Sequence, residues 1–573
     1  MINILLMIGL MFIAAINIAK LTHRSIASSI AIPYMILILL HYGFGIFNLL
    51  SFGYYLSMFL LLISFGFFIL KIRHDVSLND FKDPAIVCFL IGTASIILMN
   101  RLVSVSLWDE FSHWGLTVKN MFTTNQLSSF NPERIHFTNY PPGLSPLQYF
   151  SMRITGSLTE PNMFIITNVF KWSILVPMFG YCKKLNLKSA VMMILLFTIP
   201  VYFFRSYYYS LYVDEILGLL FLYILIGYAK HESPFTLNLS LAIFMLIITK
   251  DSGLGIALIA LLIGIITRNL SRKQILGMGL VLILTKFSWS IHLKQVLPAT
   301  EAAPGNSSID AIGKFLMGNG PTYQYEVLAN FIQAIVPALL CILVLGLTTL
   351  LIIKQKPLKK LSFAILGFTL LYLVGVLYLY VFIFTEYEAV NLASFDRYTY
   401  TLIFPLVLYF IFIASMRDSF TLSRKWLLPS LTLGLLVCST IYGFYLSKLT
   451  SVRTQQDHAL VTATHGLDNA RVYFIAQDTV GFEYWKSRYS LLPNTINPPF
   501  SWSLTTDPDK TGNWTVRVDS EDWYQDILKN YDYVYIYNVS DEFQKEFGEY
   551  FNKTLFNGTL FKVNEISLEL VSE

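Results

Sequence analysis

Two adjacent carboxylates, Asp109 and Glu110, stand between Trp108 and His113, directly after a long apolar run. A carboxylate that is partly withdrawn from water can take a proton from a hydroxyl group, and an indole ring offers an apolar face to a sugar. A tryptophan belt with a solvated acidic pair is the other interpretation, because aromatic residues concentrate at membrane surfaces. The segment therefore indicates either an acid–base site or a membrane boundary.

A second acidic pair, Asp214 and Glu215, follows a tyrosine-rich stretch and opens another apolar run. Ionisable groups at membrane depth are costly, so they are functional candidates by default. Acidic residues also stabilise a helix N-terminus, which explains the pair without a ligand. Together with His113, these carboxylates offer ligands of the kind that divalent metal ions accept. No spacing is diagnostic of a metal, so a divalent metal ion is left open and no other cofactor is indicated.

Two cations occupy later turns: Lys250 lies between two short apolar runs, and Arg397 precedes Tyr398 at the start of another run. Arginine is suited to multidentate binding of phosphate, and an arginine at a helix N-terminus opposes the helix dipole and so calls for a partner. An ordinary polar turn is the alternative for Lys250. Lys171 and Lys286 lie within apolar runs and receive no role.

The segment Tyr140-Pro141-Pro142-Gly143 fixes an extended turn before a helix-like stretch. On its own it is equally well explained as punctuation between two elements. Near the first acidic pair, it is a candidate part of a substrate loop.

Composition identifies the class of protein that must position these residues. Of 573 residues, 55% are hydrophobic and only 13% are charged, and the mean hydropathy is +0.57. Soluble domains carry about 25% charged residues, so the chain is a polytopic membrane protein. The four cysteines lie in or beside apolar runs, which argues against a disulfide framework.

Residues 1–447 are predicted to form an all-α domain with 13–14 spans, near 2–19, 25–49, 53–70, 84–100, 162–181, 188–204, 213–229, 235–249, 253–267, 275–292, 327–353, 361–384, 398–416 and 426–447.

Lysine and arginine predict the orientation. Alternate connections between the runs carry 19 of these residues, which marks that side as cytoplasmic. The N-terminus and the stretches 101–161, 293–326 and 448–573 are then extracytoplasmic. The net charge of +5 therefore reflects topology, and neither its placement nor any motif indicates nucleic acid. The expected location is the cell membrane.

Residues 448–573 differ in composition and are called the tail domain below. Strand-like runs begin at Arg471, Trp514, Tyr533 and Leu560, and helix-like stretches cover 521–530 and 541–551. Alternation of the two patterns predicts a small extracytoplasmic α/β domain.

The order of these residues over roughly 84–410 resembles that of the integral-membrane glycosyltransferases of the GT-C class. The bacterial branch related to protein mannosyltransferases and aminoarabinose transferases is the most similar. The matching residues are Trp108-Asp109-Glu110, Tyr140-Pro141-Pro142-Gly143, Thr249-Lys250 and Arg397-Tyr398. Fourteen spans is slightly above the commonest count in that class, and the metal ligands of the aminoarabinose branch have no residue-by-residue match here.

The resemblance implies an enzyme that moves a monosaccharide from a polyprenyl-phosphate donor, such as an undecaprenyl phosphate, to an extracytoplasmic glycan, with inversion at the anomeric carbon. The implied acceptor is a cell-wall polysaccharide or a teichoic acid that receives a side branch. Asp109 would be the general base with Glu110 as its support or substitute, and Lys250 and Arg397 would stabilise the leaving phosphate. Asp214, Glu215 and His113 would orient the acceptor or a metal, and Trp108, Tyr140 and Tyr398 would line the substrate loop.

Two alternatives remain. A polymerase or ligase that uses a lipid diphosphate would carry more arginines in its outer loops than this chain has. A transporter of lipid-linked sugars would show internal repeats and polar sites at mid-membrane depth, whereas the polar residues here gather at one face.

Overall fold

The computed structural model describes residues 2–76, 80–182, 185–230, 236–297, 309–416, 427–454, 460, 463–512, 514–551 and 554–572. Helices make up 72% of the structure. Within the described residues, nine helices are long and apolar enough to cross a membrane: Ile2–Leu21, Ile26–Gly45, Leu50–Ile72, Glu160–Tyr181, Arg272–Val296, Thr322–Leu351, Lys356–Phe382, Phe395–Ser415 and Thr432–Ser451. Five of the basic residues behind the predicted orientation lie outside the described residues: Lys183, Lys184, Arg417, Arg424 and Lys425.

Shorter apolar helices complete the set: Pro84–Asn100, Leu187–Phe203, Asp214–Lys230, Thr236–Thr249 and Ser252–Ile266. Each predicted apolar run therefore coincides with a helix. The last one is part of Leu427–Thr454, which continues past the predicted domain boundary at 447. Two small helices, Ile309–Leu316 and Glu386–Val390, lie between the long ones.

Burial separates central helices from peripheral ones. Every residue from Asp214 to Ala229 is buried, whereas only 22% of the apolar window in Thr322–Leu351 is buried. A helix that is apolar all round is stable at the centre of a bundle, and one that exposes leucines suits lipid. Asp214 and Glu215 thus begin a central helix and are drawn into the interior.

The first large loop, 101–161, folds over the ends of the helices. It contains a π-helical turn at Glu110–Trp114, helices at Gly115–Thr124 and Ser145–Thr155, and short turns at Ser128–Phe130 and Pro132–Arg134. Gly143 has a φ of +57°, and its N–H donates to the Ile248 carbonyl at 2.8 Å. A glycine suits this position, since its backbone conformation is left-handed. The predicted turn thereby holds the loop against the helix end that precedes Lys250.

The tail domain is built around a mixed five-stranded sheet. The strands of the tail domain are β1 Arg471–Ala476, β2 Thr495–Ile496, β3 Ser503–Thr505, β4 Thr515–Arg517, β5 Tyr533–Asn538, β6 Thr559–Val563 and β7 Leu568–Ser572. The order is β2-β1-β5-β6-β7, with β2-β1-β5 parallel and β5-β6-β7 antiparallel, and β3 pairs with β4 separately. Helices span Phe482–Leu491, Ser520–Asn530 and Asp541–Phe547. The predicted strands and helices of the tail are confirmed, whereas Phe482–Leu491, β2, β3 and β7 were not predicted.

The tail domain packs on loop 101–161 through the helix Phe482–Leu491. Trp485 lies 6.1 Å from the Trp108 ring, and Tyr489 lies 5.5 Å from the Phe111 ring. The Tyr489 hydroxyl donates to Glu160 Oε1 at 2.9 Å. Because loop 101–161 and the tail domain are in contact, both must lie on the same side of a membrane. The sequence predicts that they share one side.

Candidate functional site

Four predicted residues from four separate segments meet in one chain of ion pairs. Arg397 Nη1 lies 2.6 Å from Asp109 Oδ2, and Arg397 Nε lies 3.9 Å from Asp214 Oδ2. Lys250 Nζ lies 2.9 Å from Asp214 Oδ1. The order Asp109–Arg397–Asp214–Lys250 is called the ion-pair chain below.

Local structure explains why the four side chains converge. Asp109 immediately precedes the π-helical turn Glu110–Trp114, and Asp214 is the first residue of its helix. Lys250 links Thr236–Thr249 to Ser252–Ile266, and Arg397 lies in the first turn of Phe395–Ser415. All four therefore stand at element ends, where polar groups can reach one another without breaking a helix.

The ion-pair chain is graded in its exposure. The side chains of Asp214 and Lys250 are only 4% and 9% exposed, whereas those of Asp109 and Arg397 are 21% and 23% exposed. Two cations balance two carboxylates, which satisfies the requirement that buried charges be paired. Asp109 and Arg397 are thus the two residues of the ion-pair chain that are most accessible to a ligand.

Aromatic rings flank both cations. Lys250 Nζ lies 5.0 Å from the Tyr398 ring centre, and the Arg397 guanidinium lies 4.6 Å from the Tyr212 ring centre. Rings at this distance stabilise a cation without neutralising it. Arg397 Nε is buried and has no hydrogen-bond partner, so the site retains one N–H donor for an incoming oxygen.

Lys250 is protonated at neutral pH. Burial by itself lowers the pKa of Lys250, but the neighbouring Asp214 carboxylate outweighs it and holds that pKa above its ordinary value. A permanently charged lysine can stabilise a phosphate but cannot act as a base.

Glu110 occupies a different place from its neighbour Asp109. Its carboxylate is fully buried and accepts three backbone N–H groups, from Ser106 at 2.8 Å and from Leu107 and Leu211 at 2.9 Å. Burial raises the pKa of Glu110 to about 8 in spite of these donors. Glu110 ties loop 101–161 to the segment before Asp214 and faces protein backbone.

Glu215 also has a partner of its own. Lys171 Nζ lies 2.8 Å from Glu215 Oε1, and both side chains are almost fully buried. Lys171 also donates to the Tyr207 carbonyl at 3.0 Å. This pair joins two central helices and lies apart from the ion-pair chain. The sequence offered one signal for it, since an intramembrane lysine needs an acidic partner.

His113, Tyr140 and Trp108 form aromatic contacts near the ion-pair chain. The His113 ring is buried and stands 4.5 Å from Trp114 and 5.4 Å from Tyr140. Burial lowers the pKa of His113 to about 3, so its ring is neutral. Trp108 packs on His136 at 5.7 Å and on Trp485. Trp108 directly precedes Asp109 in the sequence.

The metal alternative does not fit the donor set. Among the described residues, no group of three or more His, Cys, Asp or Glu side chains is arranged to hold a metal ion. Asp109 and Asp214 are both engaged with Arg397, and His113 is enclosed by rings.

Comparison with protein-family models, with curated proteins and with solved structures finds no match. The chemistry of the site therefore carries the argument about function.

Proposed function

We propose that this protein is a membrane glycosyltransferase that moves a monosaccharide from a polyprenyl-phosphate donor to an extracytoplasmic glycan. The observation that supports this most is the ion-pair chain. The carboxylate Asp109 and the cations Arg397 and Lys250 come from distant segments of the sequence. They meet in one cluster, of which Asp109 and Arg397 are partly exposed. A lipid-phosphate donor requires cations at the membrane surface and a base within reach of the acceptor hydroxyl.

In the proposed reaction, the acceptor oxygen attacks the anomeric carbon while the bond from that carbon to the phosphate oxygen breaks. The proton of the acceptor hydroxyl passes to Asp109, and the lipid phosphate leaves with the electron pair of the broken bond. Lys250 and Arg397 stabilise the negative charge that grows on the phosphate. A single displacement of this kind inverts the anomeric centre.

Arg397 has a second part in this scheme. In the resting protein its guanidinium is bound to Asp109 Oδ2. When the donor phosphate enters, Arg397 exchanges the carboxylate for phosphate oxygens, which frees Asp109 to accept a proton. Asp214 keeps Lys250 and Arg397 in place during this exchange, since its two oxygens face both cations. Glu110 and Glu215, which have partners elsewhere, support the loop and the bundle.

The proposal places fourteen helices across the cell membrane, with loop 101–161 and the tail domain on the extracytoplasmic side. The alternation of basic connections in the sequence supports this orientation. Exposed leucines on helices such as Thr322–Leu351 support contact with lipid.

The test is sugar transfer by the purified full-length chain, with polyprenyl-phosphate sugars as donors. We expect Asp109→Asn to lower kcat by at least about a hundredfold, because general-base catalysis contributes about that much. Asp251→Asn is the matched control. Asp251 is an exposed carboxylate next to Lys250 that pairs with Lys286 at 3.0 Å, and its loss should leave transfer unchanged. Full activity of Asp109→Asn would refute the assigned base.

Two further outcomes separate the alternatives. Preferred use of a lipid-diphosphate donor over the monophosphate would favour a polymerase or ligase. Exchange of lipid-linked sugar across vesicle membranes, with no glycosidic product, would favour a transporter.

A further inference from the structure

A second positively charged feature lies between loop 101–161 and the tail domain. A cavity of about 320 Å³ opens there, lined by Arg134, Arg471 and Arg488 and by one acid, Glu133. No member of the ion-pair chain lines it. The cavity is therefore separate from the site already described, and the tail domain supplies most of its walls.

The three arginines differ in what neutralises them. Arg471 is bound by Asp532, with Nη2 and Oδ1 3.1 Å apart, and its side chain is 52% exposed. Arg134 Nε lies 3.5 Å from Glu133 Oε1 but makes no hydrogen bond. Arg488 is more deeply enclosed than either, since the whole residue is only 6% exposed.

Arg488 is a buried cation that lacks a carboxylate. Its bonds go to neutral acceptors: the Arg134 carbonyl at 3.2 Å, the Asn497 carbonyl at 3.4 Å and the Tyr484 hydroxyl. Within the part of the chain that the structure describes, no Asp or Glu forms an ion pair with it. A buried charge is costly unless an opposite charge compensates it. An anion in the cavity would supply that charge.

The remaining walls suit a sugar ring. Pro498, Pro499 and Tyr531 give the cavity apolar faces. The Arg488 guanidinium lies 5.6 Å from the Trp485 ring, which in turn packs on Trp108. Trp108 is adjacent to Asp109, so two ring contacts connect the cavity with the ion-pair chain.

We propose that this cavity binds a phosphate diester of the acceptor glycan, with Arg488 and Arg134 as its cationic partners. Two guanidinium groups around one cavity match the several oxygens of a phosphate, because arginine is suited to planar binding of such oxygens. With the phosphate held there, a sugar hydroxyl farther along the glycan reaches Asp109. The identity of the ligand as an acceptor rests on the proposed function, whereas phosphate binding by the cavity does not.

Inorganic phosphate is the first probe. The full-length Arg397→Gln variant, which weakens the other phosphate site, is titrated at constant ionic strength and followed by phosphorus NMR. We expect saturable binding that weakens by about tenfold or more when Arg488→Gln is added, since a charge-assisted bond is lost. Arg134→Gln, at a more exposed position, should act in the same direction and serves if the Arg488 variant does not fold. Arg517→Gln removes an exposed arginine of β4 that is not in the cavity lining and should change nothing. Equal affinity in the cavity variants and this control would overturn the proposal, as would the absence of saturable binding.

Sugar transfer is the second readout, with two acceptors that differ only in a phosphate diester. We expect Arg488→Gln to raise KM for the phosphorylated acceptor by about tenfold, with kcat and the neutral acceptor unaffected. An equal loss with both acceptors would contradict acceptor binding by the cavity. If the unaltered protein transfers no sugar, the proposed function fails, and the phosphate titration still decides the cavity.

Discussion

Asp109 and Glu110 are neighbours in sequence but have opposite surroundings. Asp109 reaches the solvent-exposed end of the ion-pair chain, whereas Glu110 is enclosed by three backbone N–H groups. Their residue types predict acid–base chemistry at this place. One of these N–H groups belongs to Leu211, 101 residues farther along the chain, and Arg397, the partner of Asp109, is 288 residues away. That information is tertiary, so adjacency in sequence could not separate the two roles.

The burial of Glu110 predicts that the stability of the protein depends on pH. Its pKa rises from an ordinary value of 4.5 to about 8 on folding, so the folded protein holds a proton that the unfolded chain has lost between these two values. Stability must therefore fall as pH rises through this window, by at most about 5 kcal/mol in total. Glu110→Gln cannot ionise, and its side chain offers one acceptor oxygen where glutamate offers two. We expect the variant to be less stable than the unaltered protein at pH 5 and the gap to narrow toward pH 9.

The measurement is the thermal unfolding midpoint of both proteins across this range. Glu133→Gln, at an exposed carboxylate of the same loop, is the control and should track the unaltered protein. Parallel pH curves for Glu110→Gln and the unaltered protein would show that Glu110 does not titrate in this window.

At the scale of elements, helix Phe482–Leu491 connects the tail domain with loop 101–161. Almost every residue from Tyr484 to Leu491 is buried, including Lys486 and Arg488, because the helix lies between the sheet of the tail domain and loop 101–161. Its sequence has no clear apolar stripe, so periodicity did not predict it. The membrane helices, in contrast, were predictable from the sequence. A long apolar run in a membrane must form a helix, because its backbone groups have no other hydrogen-bond partners there.

Tyr489 tests whether this helix holds the loop in place. Its hydroxyl donates to Glu160 Oε1, while Glu160 Oε2 accepts the Val105 N–H at 2.9 Å, just before the acidic pair. Tyr489→Phe leaves Glu160 Oε1 without this donor, so we expect a loss of about 1–3 kcal/mol in stability. Tyr524→Phe removes a tail hydroxyl that donates to the Ile566 carbonyl at a more exposed position, and it should cost less. Thermal unfolding of both variants measures the difference, and equal midpoints would mean that the Glu160 contact does not anchor the loop.

At the scale of the whole molecule, the side of the membrane decides whether the proposed donor is within reach. The contact between tail domain and loop 101–161 means that one measurement places both. The sequence predicted their side from basic connections alone, and the structure adds the coupling between them. The sequence alone could not establish that the four residues of the ion-pair chain converge. No local pattern determines how four distant turns pack against one another.

Cysteine labelling in intact cells tests this orientation. In a chain whose four native cysteines are replaced, Glu549→Cys places a thiol on an exposed position of the tail domain, and Lys273→Cys places one at an exposed helix start in a basic connection. We expect a membrane-impermeant maleimide to label the tail position in intact cells and the Lys273 position only after permeabilisation, because basic connections remain cytoplasmic. Both positions should be labelled in detergent, which controls for thiol reactivity. The reverse pattern would place the ion-pair chain on the cytoplasmic side and would remove the basis for an extracytoplasmic acceptor.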